Sequence, residues 1–135
     1  RNNNGEIEFF VGHPGGEMWK NRNYWAFLKG GVEEGETWQD TALREFTEES
    51  GVSLSSISKN NLIALGTVQQ NKHKIVIAFG AYLPDIDPNE CHSNMADNGE
   101  NLEIDRYAWF NFDTLKNITH PTHIGFYEQI IDLLK

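Results

Sequence analysis

Glu6-Ile7-Glu8-Phe9-Phe10-Val11 alternates polar and apolar positions closely enough to predict a strand, with Asn2-Asn3-Asn4-Gly5 as a turn before it. A turn there implies an earlier strand, so the fold is expected to lack its first strand in this chain, which starts at Arg1 rather than Met. Gly12-His13-Pro14-Gly15-Gly16 is expected to break the strand, and Tyr24-Trp25-Ala26-Phe27-Leu28 to be the next extended piece. The clearest helix runs from Thr37 to Ser50. Thr37 followed by Asp40 makes a capping-box-like start, and Gly51 stands where a left-handed residue ends helices. Leu62–Gln70 and His73–Leu83 read as strands joined by a hairpin turn at Asn71-Lys72. Pro84 to Asn101 is polar enough to predict a long mobile loop, and Arg106–Phe110 a short strand. A terminal helix over about 123–134 would place Ile124, Tyr127, Ile130, Ile131 and Leu134 on one face. Strands with one central and one terminal helix predict an α/β class, a mixed β-sheet between helices.

The 135 residues suffice for a single domain, 1–135. No run of eighteen apolar residues exists to span a membrane, and no cationic leader precedes the domain, so a cytoplasmic setting is expected. Cys91 is the sole cysteine, which excludes an internal disulfide. Twenty acidic against eleven basic residues give a net charge of −9, the wrong sign for a protein that grips a nucleic-acid polymer. An anionic substrate would then need a local attractor, for which a bound divalent cation is the natural choice.

The central helix points to the same chemistry. Glu45, Glu48 and Glu49 fall at i, i+3 and i+4, so three carboxylates share one face. They repel one another and crowd a helix end whose dipole favours cations. Ala42, Leu43 and Phe46 mark a buried side of this helix. A solvated acidic stripe is the bland explanation; a hard cation held by carboxylate oxygens is the functional one.

The wider spacing decides between them. Gly30-x5-Glu36-x7-Arg44-Glu45-Phe46-x-Glu48-Glu49-x-Gly51-Val52 resembles the Nudix box, matching every glycine and charged position. Phe46 departs from it, being aromatic where Ile, Leu or Val is usual. His13-Pro14-Gly15-Gly16, Trp25 to Gly31 and Trp109-Phe110 extend the resemblance over nearly the whole chain, to a subgroup with His-Pro-Gly-Gly after an early strand. Leu28 stands where many relatives have Pro. Gln69 and Gln70 occupy a region where diadenosine polyphosphate hydrolases usually carry a Tyr, and Thr67 one where ADP-ribose pyrophosphatases carry a Pro.

The resemblance implies a Nudix-type α/β/α sandwich. It implies hydrolysis of a nucleoside diphosphate linked to another group, by water attack at phosphorus with Mg2+ or Mn2+. By position, Glu45, Glu48, Glu49 and Glu36 would hold metal, and Glu48 or Glu49 would also steer the water. Arg44 would orient the carboxylates, Gly30 would let the backbone turn tightly, and Lys29, Gly30 and Gly31 would meet the substrate. Glu103, shortly before Trp109, resembles a metal-binding or basic glutamate found outside the box in some members; Glu100 and Asp105 are neighbours that could replace it. The substrate would be a small nucleotide-type diphosphate, and monomer and homodimer both stay open. The rival reading is a nucleotide-sensing Nudix domain without catalysis, which should have lost a box carboxylate.

Other features carry less. His120 and His123 with Cys91-His92 lack a zinc spacing, and His13 is expected to be structural. Asp85, Asp87 and Asn89 imitate the start of an EF-hand but lack its glycine and final Glu, and no P-loop occurs. Trp19, Tyr24 and Trp25 suit either core packing or stacking on a base.

Overall fold

The computed structural model describes residues 1–54, 59–83, 85–93, 95–96 and 101–135. Strands β1 (Asn2–Asn3) and β2 (Glu6–Pro14) form a hairpin around Asn4 and Gly5, whose φ values are 52° and 88°. Two successive left-handed residues are what the tightest hairpin turn requires, and Asn-Gly supplies them. The turn is therefore narrower than expected, and Asn2 and Asn3 already belong to a strand.

Strand β2 does not stop at Gly12. It continues to Pro14, paired antiparallel with β7 (Ile104–Asn111) from Glu8 opposite Asn111 to Pro14 opposite Ile104. The reason is tertiary. A Cβ at Gly12 would stand 2.7 Å from Leu28 and 2.8 Å from Ile104, so the glycine is where three segments close on one another. Its backbone also exchanges hydrogen bonds of 2.8 and 3.0 Å with Ala26, which docks the extended 24–28 piece. His13 is fully buried, with ring nitrogens 2.8 Å from Asp105 Oδ1 and 2.6 Å from the Arg22 carbonyl. Its structural role is as expected.

Helix α1 (Trp38–Ser50) has the expected ends. Thr37 and Asp40 complete a reciprocal capping box, and Gly51 takes φ 75°. Strands β3 (Ile63–Asn71) and β4 (Lys74–Gly80) form the second hairpin. The 84–101 stretch is not a featureless loop. Its described part holds a 3-10 turn at Pro88–Glu90, capped by the Asp87 carboxylate. It also contains the paired strands β5 (Met95–Ala96) and β6 (Asn101–Leu102). The Trp109 indole donates to the Ile86 carbonyl at 2.9 Å, tying this stretch to β7. Every strand pairing among the described residues is antiparallel.

A short helix α2 (Phe112–Leu115), absent from the sequence reading, precedes α3 (Ile124–Leu133). Helix α3 turns Phe126 and Tyr127 inward, while Leu134 on the expected face is exposed. The chain has two adjoining hydrophobic clusters. Tyr127 packs with Val11, Trp25 and Leu115, and Phe126 with Leu65, Val76 and Ala78. Adjacent residues of α3 therefore serve different clusters, a division that periodicity along one stripe cannot show. Phe27 packs against both. No helix among the described residues is long and apolar enough to cross a membrane.

Candidate active site

The last turn of α1 is fixed from several directions. Tyr107 donates its hydroxyl proton to the Glu49 carbonyl, and His92 N–H donates to the Ser50 carbonyl at 3.0 Å. Phe46 stacks obliquely on Phe10 at 5.8 Å, so the aromatic at this box position is accommodated by an aromatic partner. Thr41, Glu49 and Ser50 are the buried residues of the helix, whereas Ala42 and Leu43 are only half-buried. The inner side is thus more polar than the sequence suggested. Burying a polar side there makes sense for a site, since a packing face would be apolar.

A cavity of about 630 Å³ opens over this turn. Glu45, Glu49 and Glu103 line it, as do Lys29, Gly30 and Gly31. Glu49 is 7% exposed, and its Oε2 accepts a 3.2 Å hydrogen bond from Lys29 N–H. Burial, reinforced by Glu103 and Glu45, pushes its carboxyl up to about 7. Burial also raises Glu45, against the opposing pull of Arg44. Lys29 is pushed down to about 8, first by burial and then by Lys74 beside it.

Arg44, Glu36 and Glu48 are not cavity-lining; they form the support behind it. Arg44 clasps both oxygens of Glu36 at 2.7 and 3.0 Å and donates to Glu45 at 2.7 Å and Glu48 at 3.1 Å. A further bond of 2.9 Å reaches the Gly31 carbonyl. Glu36 also accepts from Glu33 N–H and the Thr41 hydroxyl, and Arg44 above all holds its carboxyl down at about 2. The guanidinium fork thus sets the helix carboxylates relative to the 30–36 loop.

Gly30 is needed for space, not for an unusual turn. Its φ is not left-handed, but a Cβ there would lie 2.0 Å from the Glu45 carboxyl carbon. Gly30→Ala is expected to displace Glu45 and lower kcat by about 10²-fold, the scale of a roughly 1 Å misplacement. Steady-state kinetics on the folded variant checks this, and unchanged kcat would show that Glu45 needs no such seat.

Among the described residues no three ligating side chains form a ready-made metal cage. The donor set nevertheless suits a hard cation, since Glu45, Glu49 and Glu103 bring carboxylate oxygens to one cavity without a basic side chain in ion-pair range of Glu49 or Glu103. The weaker candidates are dispersed. His92 lies against Gly51, Cys91 faces the Asp87 carbonyl, and Asp87 caps its own turn. Trp25 is core, whereas Trp19 and Tyr24, rings 5.0 Å apart, line the cavity.

Sequence reasoning missed Lys74, Gln70 and His120 as cavity residues. One signal existed for Lys74, which lies two residues from buried Val76 and four from buried Ala78, on the inward row of β4.

Comparison with known proteins fits this arrangement. The NUDIX domain family matches residues 2–132. The chain is 27% identical over 129 residues to the RNA pyrophosphohydrolase of Brucella ovis, covering 87% of this chain and 72% of that protein. Its fold resembles the Ap4A hydrolase of C. elegans, seen in a binary complex, at a TM-score of 0.71 and 20% identity, covering 98% of this chain and 90% of that one. The NUDIX domain of Shewanella oneidensis NrtR, crystallised with ADP ribose, gives a TM-score of 0.64 at 14% identity, covering 98% and 81%. The chain belongs to the Nudix family of hydrolases.

Proposed function

We propose that the protein hydrolyses a phosphoric anhydride bond in a nucleoside diphosphate linked to another group, with Mg2+ or Mn2+ as cofactor. The convergence of Glu45, Glu49 and Glu103 in one cavity carries this reading. The pyrophosphohydrolase name of the Brucella relative and the complete set of box carboxylates support it over ligand sensing alone.

Glu45 and Glu49 would hold the cation, joined by Glu48, which follows on the same helix face and is clasped by Arg44. When bound, it would neutralise phosphate oxygens and acidify water. Arg44 keeps Glu45 and Glu48 in place, and both oxygens of Glu36 serve that clasp, which supports a positioning part for Glu36. Water adds through its oxygen to phosphorus, Glu103 takes the water proton, and the bridging oxygen leaves with the bonding electron pair. Glu49, buried beside Glu103, steers the water. Lys29 and the 30–31 backbone border the same space and meet the phosphates.

A panel of nucleoside di- and triphosphates, ADP-sugars and dinucleoside polyphosphates, assayed with and without Mg2+, tests the reading. Absence of metal-dependent turnover across the panel would overturn it. Metal binding has a separate readout. Mg2+ at about 100 times its Kd stabilises the native state by about 2.7 kcal/mol. The unfolding midpoint should then rise by on the order of 5–10 °C. No rise at millimolar Mg2+ or Mn2+ would count against the carboxylate site.

A further inference from the structure

Val76 and Ala78 on the inward row of β4 enter the second hydrophobic cluster, while Lys74, next in that row, lines the cavity. Lys29 lines the same cavity, and Lys74 is near enough to disfavour its charge. Glu49 accepts from the backbone N–H of Lys29, and no ion pair joins either ammonium to a carboxylate among the described residues. Glu49 attracts Lys29, but burial and Lys74 outweigh it, so in a chain with twenty acidic and eleven basic residues the two lysines are an unfavourable arrangement by themselves. An anion between them reverses the sign of the interaction.

Two neutral groups extend the same surface. His120 Nδ1 accepts from the Thr122 amide at 3.2 Å and lies 2.8 Å from its hydroxyl, which leaves the proton on Nε2 as a donor. Gln70 Oε1 lies 2.7 Å from Nε2 of buried His123 and is engaged there, so its amide NH2 remains for the cavity. Lys29, Lys74, Gln70 and His120 therefore offer donors. A phosphate, whose oxygens only accept, matches such a wall; a sugar, whose hydroxyls must also donate, matches it poorly.

We infer that Lys29, Lys74, Gln70 and His120 form a second anion-binding wall, which receives a phosphate beyond the anhydride bond being hydrolysed. The protein then selects substrates with a chain of at least three phosphates over diphosphates joined to a neutral sugar. This inference rests on the carboxylate wall being the reaction centre.

The test compares kcat/KM for ATP, diadenosine tetraphosphate and a 5′-triphosphorylated oligoribonucleotide with that for ADP-ribose. Wild type should favour at least one three-phosphate substrate, and the favoured arm identifies the source of the chain. Lys74→Gln should lower that preference by about 10- to 100-fold, the scale of losing a charged hydrogen bond. Lys72→Gln, on the hairpin turn, removes the same charge and should preserve the preference. A preference for ADP-ribose in wild type, or an unchanged ratio in Lys74→Gln, would overturn the inference. Calorimetry with a methylene-bridged ATP analogue separates the two readings. Binding independent of Lys74 overturns the anion wall even if turnover is observed. Lys74-dependent binding without turnover of any substrate upholds the wall and overturns the hydrolase reading.

Discussion

Glu49→Gln should lower kcat by about 10³-fold or more, the scale of several kcal/mol of lost charge stabilisation. The same variant should be at least as stable as wild type in chelator above pH 7. The two effects have one cause. Glu49 is buried beside Glu45 and Glu103, and its carboxyl titrates at about 7 against an ordinary 4.5. The metal-free native state therefore binds this proton more tightly than the unfolded chain does. Its stability falls as pH rises from about 4.5 to 7, and the cost is fully present above 7. Gln carries no charge and escapes that cost. The difference between the unfolding midpoints of variant and wild type should accordingly increase in favour of the variant between pH 5 and 8. A large loss of stability at both pH values would instead make Glu49 a structural residue. Glu48→Gln should also abolish turnover without a large loss of stability.

Glu103→Gln should lower kcat by about 10²–10⁴-fold, the range for loss of a general base. Glu103 sits at the bend between β6 and β7, and its side chain reaches the cavity near Glu49 from outside the helix. As the base, it would give the water a proton acceptor that does not come from α1. Asp105, the alternative on the same segment, is engaged by His13 at 2.8 Å and Arg106 at 3.4 Å. Glu100 lies outside the described residues. Equal kcat for Glu103→Gln and wild type, at saturating substrate and metal, would return the base to the helix.

The parts legible in the sequence are those specified by short-range chemistry. Thr37, Asp40 and Gly51 announce both ends of α1 because capping is settled within a few residues. The spacing from Gly30 to Val52 identified the family because a loop and one helix carry the whole motif. Features made by distant segments were not legible. The continuation of β2 through Gly12 depends on Leu28 and Ile104, and the inward turn of Phe126 depends on a second cluster. Lys74, Gln70 and His120 come from β4, β3 and the segment before α3, so no local pattern unites them. Gly30 was legible as a required glycine, but the tight turn expected there is an incomplete reason. Its need for glycine lies in the Glu45 carboxylate resting against it.

Binding sites are commonly the parts of a small protein that open most cheaply by local unfolding. The shared position of Phe27 works against that here. It packs against both hydrophobic clusters, and Lys29 and Gly30 follow within three residues. Lifting this stretch out of place would withdraw Phe27 from two packed groups at once. The cavity floor is thereby coupled to the resistance of the entire domain to unfolding, while the Trp19–Tyr24 rim lies outside both clusters. Adaptation to different substrates could then take place at the rim without loosening the surface proposed to receive the phosphates.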